Sequence, residues 1–347
     1  MTAISNDPDP LDLPNTSSPA AEQIVDKSQL ADHQQEFQHI EGEFEINDDL
    51  KLYEQVWLPP GGANGDSIQA KATIVIVHGF GEHSGRYRPL ALQLINNGFA
   101  VYAYDQRGHG KSGGIRAYID SWDEYVSDFE RAMVRVYESA GDMPIFILGH
   151  SMGGLVLASY LIKHKDQINR VALAISLKPF TEEVQEDMTT VIPIAGVIFS
   201  SALLRMPANV SPILLALSGI VNAVRPKMQT IKVDASVLSK DEYEVDKYTA
   251  DPLVYHGGMP VRTGVEIRQA VEALQPQLIE IEVPFLVFHG TEDQLTDPKG
   301  SEYLYYTARS MDKMHKVYYG GYHEMLNSPE KKIVTADILA WLNARAK

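Results

Sequence analysis

The 347-residue chain contains no cysteine. That absence excludes a disulfide framework, a thiolate metal site and a cysteine nucleophile, and it is compatible with a reducing cytoplasm. Basic residues are nearly missing from the first fifty positions, where twelve Asp and Glu face a single lysine, Lys27. This stretch holds −11 of the net charge of −16, so the remainder is only mildly acidic at −5. No basic cluster points to nucleic acid, and the overall sign opposes simple electrostatic docking on anionic lipid. Long apolar runs free of helix breakers are lacking too, so no transmembrane span is expected.

Residues 1–40 are rich in Asp, Pro, Ser and Gln and poor in large apolar side chains. They lack the basic and apolar regions of a secretory signal and read as a disordered acidic extension. The protein is therefore expected to be cytoplasmic, with residues 41–347 forming the folded part.

What is there alternates. Glu43–Ile46 and Lys51–Leu58 read as an antiparallel pair, and buried strands follow at Ala72–His78, Phe99–Tyr104, Ile145–Leu148, Arg170–Ser176 and Phe285–His289. Helical patterns lie between several of them, at Leu90–Asn97, Trp122–Ser139 and beyond Ser151. A helix at Lys299–Ser310, a strand at His315–Tyr319 and a closing helix at Lys331–Ala346 complete the series. This rhythm implies a mostly parallel sheet flanked by helices. It breaks after Arg170–Ser176, the sixth expected strand. From about 180 to 265 the sequence turns apolar nearly all round, notably at Val191–Phe199 and Pro212–Val221. Buried helices are the plain reading, and a helical cap over the active site is the sharper one.

Gly149-His150-Ser151-Met152-Gly153 fits G-x-S-x-G and stands between an expected strand and an expected helix. The glycines permit a sharp turn that exposes the serine hydroxyl, and the helix that follows aims amide groups and its positive dipole end at a developing oxyanion. A serine needs a base held in one tautomer by an acid, and in this arrangement the chain order is Ser, acid, His. Among downstream histidines, His323 lies in the glycine-rich turn after a strand, whereas His315 opens one. Asp293 follows Phe285–His289 by a short turn, with Glu292 and Asp297 as alternatives in the same loop. The candidate triad is Ser151, Asp293 and His323. Its oxyanion hole would use the backbone N–H of Met152 and that of Phe80, in the loop after Ala72–His78. No metal or cofactor is implied. The Gly108–Gly113 turn fits neither a P-loop nor a dinucleotide fingerprint.

Several stretches carry a resemblance: His78–Tyr87, Gly108–Ser112, Gly149–Gly154, Ser236–Ser239, Glu244–Asp246, Asp251–Leu253 and the loops of Asp293 and His323. In these the chain resembles the monoacylglycerol lipase group of the α/β-hydrolase fold, within the serine aminopeptidase S33 and lysophospholipase-like superfamily. The resemblance runs from about residue 41 to the end. It implies hydrolysis of a monoacylglycerol to glycerol and a fatty acid, with a mobile cap contacting a membrane or lipid-droplet surface. It also implies that Glu82, Arg86 and Tyr248 line the glycerol end, although Glu82 and Arg86 can equally pair with each other and shape the loop. Without cysteine, no thiol sensitivity of relatives carries over, and Phe80 is bulkier than the small residue of animal relatives. A lysophospholipase, another small-ester hydrolase or an aminopeptidase would use the same triad. A non-catalytic binding protein on this fold usually lacks a triad member, and none is missing.

Overall fold

The computed structural model describes residues 37–60, 70–168, 192–207 and 219–346. Eight strands form one sheet in the order β1-β2-β4-β3-β5-β6-β7-β8. They are β1 (Gln38–Asn47), β2 (Leu50–Leu58), β3 (Thr73–Val77), β4 (Ala100–Tyr104), β5 (Ile145–His150), β6 (Ile194–Ser200), β7 (Phe285–Gly290) and β8 (Lys313–Tyr318). The hairpin β1–β2 joins β4 antiparallel, and every pairing from β4 onward is parallel. β1 reaches back to Gln38, so the last residues assigned to a disordered extension, 38–40, pair with β2. Residues 1–36 lie outside the described residues.

The parallel strands read as unbroken apolar runs because both of their faces are covered. Val75, Val77, Ile147, Phe199 and Val287 pack on one side with α2 (Trp122–Ala140) and α3 (Met152–Lys163). Ile74, Ile76, Leu148, Ile198 and Phe288 pack on the other with α1 (Arg88–Ile95).

One expectation is corrected. Val191–Phe199 was read as part of a buried cap helix, and residues 194–200 instead form the central strand β6 between β5 and β7. A short apolar run buried on both faces has no period that separates strand from helix. Gly196 carries the decision: a Cβ there would stand 2.6 Å from the Trp341 ring, so the position serves close sheet–helix packing. The strand expected at Arg170–Ser176 and the apolar run's first part, 212–218, lie outside the described residues. Between β6 and β7 lie a described helical segment at 219–224 and the helices α4 (Glu242–Ala250) and α5 (Val261–Leu274). After β7 come α6 (Pro298–Thr307) and, beyond β8, α7 (Lys331–Asn343).

The sheet order locates the site. From β3 the chain moves to β4 on one side, then crosses back to β5 on the other. Ligand crevices open outside the carboxyl ends of strands at such a switch. Register puts Val77 of β3 beside Gly149 of β5, and His150 beside Ser200 of β6. The turns after β3 and β5 are neighbours for that reason.

Candidate active site

Ser151 is the one residue between β5 and α3, and its backbone is forced to φ 52°, ψ −118°. A non-glycine residue there stores about 1–3 kcal/mol of strain, held only if the surroundings over-determine it. They do. The Ser151 amide donates to Ser200 O at 3.0 Å, and its carbonyl accepts from Gly154 and Leu203 amides at 3.0 Å each. The flanking glycines allow the close approach: a Cβ on Gly153 would lie 2.2 Å from Val77 O, and one on Gly149 2.7 Å from Gly153 O.

Asp293, in the turn after β7, is saturated with donors. Its Oδ1 accepts from the Leu295 amide at 2.8 Å and the Thr296 amide at 3.0 Å. Its Oδ2 accepts from Thr296 Oγ1 at 2.8 Å, His289 Nε2 at 2.9 Å and His323 Nδ1 at 2.7 Å. Burial by itself would raise the carboxyl pKa, but His323 and His289 hold it far below the usual carboxylate range. His323 lies in the turn after β8 and is buried. Burial would lower its pKa, yet the Asp293 charge raises it above the ordinary histidine value. With Nδ1–H committed to a carboxylate, Nε2 is the free basic nitrogen. Ser151 and His323 line one cavity of about 140 Å³. No hydrogen bond joins their hydroxyl and imidazole among the described residues, and such contacts are often long outside the Michaelis complex.

The other candidates for these positions are engaged elsewhere. Glu292 is exposed and pairs with Lys240 at 3.2 Å. Asp297 caps α6 through the Lys299 amide at 3.0 Å and meets Arg205 at 3.1 Å. His315 sits within β8, its ring 5.7 Å from that of Tyr305.

The amides of Phe80 and Met152 border the same cavity, and among the described residues neither donates to a protein acceptor. His78 orients the first. Its Nε2 accepts from the Gln106 amide at 2.9 Å, so its Nδ1 carries the proton and donates to Gly79 O at 2.8 Å. That carbonyl belongs to the peptide whose other end is the Phe80 N–H, so one bond fixes the donor's direction.

Glu82, Arg86 and Tyr248 are brought together, with a fourth member. Arg86 donates to Glu82 at 2.9 Å and forks onto Glu324 at 2.6 and 2.7 Å, while its guanidinium lies 4.8 Å from the Tyr248 ring centre. Glu82 also accepts from the Gly79 amide at 2.6 Å and Tyr87 at 2.8 Å. It therefore pairs with Arg86, shapes the loop and lines the cavity at once. Sequence reasoning missed Glu324, His289 and His150. Glu324 had a signal in its place next to His323; His289 and His150 had theirs as polar ends of otherwise apolar strands. His150 packs 4.8 Å from the His323 ring, and burial next to that ring lowers it to about 4, keeping it neutral. Leu203, Val233, Leu238, Met259, Ile267 and Leu295 make the rest of the wall apolar. The arrangement can bind an apolar chain with a polar head and carry out acyl transfer at the junction.

The family described as serine aminopeptidase, S33, matches residues 68–193 and 184–330. A monoacylglycerol lipase of Mycolicibacterium smegmatis is 29% identical over 293 residues, 84% of this chain and 93% of that protein. The monoglyceride lipase of Homo sapiens is 32% identical over 296 residues, 85% of this chain and 87% of that one. The crystal structure of the monoacylglycerol lipase of Paleococcus ferrophilus aligns with a TM-score of 0.67 at 28% identity, covering 85% of this chain and 99% of that one.

Proposed function

The chain belongs to the serine aminopeptidase S33 family, with the α/β-hydrolase fold of lipases and esterases, and from that premise we propose that it hydrolyses monoacylglycerols to glycerol and fatty acid. Ser151 attacks the ester carbonyl while His323 Nε2 takes its proton, and Asp293 stabilises the imidazolium that results. The Phe80 and Met152 amides receive the oxyanion. His323 then protonates the departing glycerol oxygen, leaving Ser151 acylated, and water activated by the same nitrogen releases the fatty acid.

The observation that carries this reading is the 2.7 Å bond between Asp293 and His323 beside the cavity that Ser151 shares. The names of the relatives support the substrate, and the apolar wall ending in a polar cluster fits it. Hydrolysis of a monoacylglycerol chain-length series tests the reading, with Ser151→Ala as control. Turnover should fall on the order of a millionfold in that variant. Wild-type protein that leaves every member of the series intact would refute the substrate assignment.

The segment between β6 and β7 also supports transient contact with a membrane or lipid-droplet surface. Ile220 and Val224, one turn apart, and Ile231 are 67%, 75% and 75% exposed. Ile231 precedes the cavity residue Val233 by two positions.

A further inference from the structure

The polar end of the cavity has an unusual charge count. Its lining contains Glu82 and Glu324 and, among the described residues, neither lysine nor arginine. Arg86 stands behind the two carboxylates and is occupied by both: one terminal nitrogen contacts Glu82 and Glu324, and the other contacts Glu324. Tyr248 covers the guanidinium face. Asn327 Nδ2 donates to Glu324 Oε2 at 2.9 Å and holds the fork in place. Burial opposes ionisation of both acids, but Arg86 lowers Glu324 and brings Glu82 down to about 2. Two anions and one cation leave a fixed charge of −1, buried where the alcohol of the ester would sit.

We propose that Glu324 is a specificity-determining residue that restricts this site to esters whose alcohol carries no negative charge. The proposal rests on the pocket's being the ester site argued above and names its substrate class more narrowly. Breaking Arg86 away to meet a phosphate would strand two buried carboxylates, and leaving it in place sets phosphate against a net anion. Both routes disfavour an anionic head group by like-charge repulsion and unpaired burial. Glycerol meets neither obstacle, because its hydroxyls can donate to carboxylate oxygens.

The experiment compares kcat/KM for hexanoylglycerol and hexanoylglycerol 3-phosphate, both as monomers at one ionic strength. Short chains keep interfacial charge out of the comparison. Wild-type protein should favour the neutral ester by at least about tenfold, and Glu324→Gln should shrink that ratio by about tenfold. Glu324→Asp keeps the charge and should keep the ratio. If Glu324→Gln does not fold, Glu82→Gln removes the same unit of charge and is read the same way. Equal use of the two esters by wild-type protein, or an unchanged ratio in the folded charge-neutral variant, overturns the proposal. Failure to cleave the neutral ester overturns the underlying reading and takes this one with it.

Discussion

Asp293 illustrates how one side chain's surroundings set another's chemistry. Five donors converge on its carboxylate, and His289 supplies one of them from inside β7. His289 Nε2 faces a carboxylate and must carry the proton, so its Nδ1 accepts from Ser301 Oγ at 2.7 Å. The proposed mechanism requires neutral His323, and Asp293 raises the His323 pKa against the opposing effect of burial. The acid limb of kcat/KM should therefore rise with pH through an apparent pKa above the free-histidine value of about 6.5. Removing the His289 donor leaves Asp293 a stronger acceptor for His323. In His289→Leu that limb should move further up and kcat should fall about tenfold, while His289→Gln, which can still donate, should restore both. An unmoved limb in His289→Leu, measured across a pH series, would limit His289 to packing. Such tertiary pairings were not legible in the sequence. His289, 34 residues before His323 along the chain, meets it through the Asp293 carboxylate and the Thr296 hydroxyl, which contact both rings. By contrast, Ser151 was legible because its turn is built from adjacent residues.

At the scale of elements, the turn between β5 and α3 depends on how close α3 comes to β3. Gly153 has no room for a methyl group, with Val77 O 2.2 Å from where it would stand and His78 O at 2.5 Å. Both obstacles are backbone, so neither can rotate away. Gly153→Ala should therefore destabilise the fold by about 2 kcal/mol or more, seen as a lower denaturation midpoint, and should displace Ser151. A midpoint within experimental error of wild type would mean that the strand and helix are further apart than described. The misreading of β6 has its origin at this scale. Ile194, Val197, Ile198 and Phe199 are all buried, so no alternation marks a strand, and the neighbouring prolines and glycine fit a broken helix equally well. The strands β3, β4, β5, β7 and β8 were found because turn residues bound them closely, and Phe80, Ser151, Met152, Asp293 and His323 lie in the turns after β3, β5, β7 and β8.

Across the whole molecule, the alternation of strands and helices made the parallel sheet legible, and chain order is what singles out Ser151, Asp293 and His323 as candidates. Glu82 and Arg86 were legible as a pair, but what could not be read was Glu324 completing their charge cluster, because it joins the loop after β3 from the turn after β8. Surface chemistry belongs to this scale as well. The chain's net charge of −16 offers anionic lipid no attraction, while Ile220, Val224 and Ile231 expose apolar area between β6 and α4. Binding to a lipid surface should then follow hydrophobic contact and resist salt. In flotation with neutral phosphatidylcholine vesicles the protein should rise with the lipid, and Ile220→Asp with Val224→Asp should leave it at the bottom. Flotation unaffected by the pair would place lipid contact elsewhere.

The central claim is that Ser151 is made nucleophilic by His323 and Asp293. It is tested most directly by treating the folded protein with a fluorophosphonate and mapping the adduct by peptide mass spectrometry. The account predicts a single adduct on Ser151, formed far more slowly in His323→Ala and in Asp293→Asn. Folded wild-type protein that stays unlabelled, or that is labelled on another residue, would contradict it.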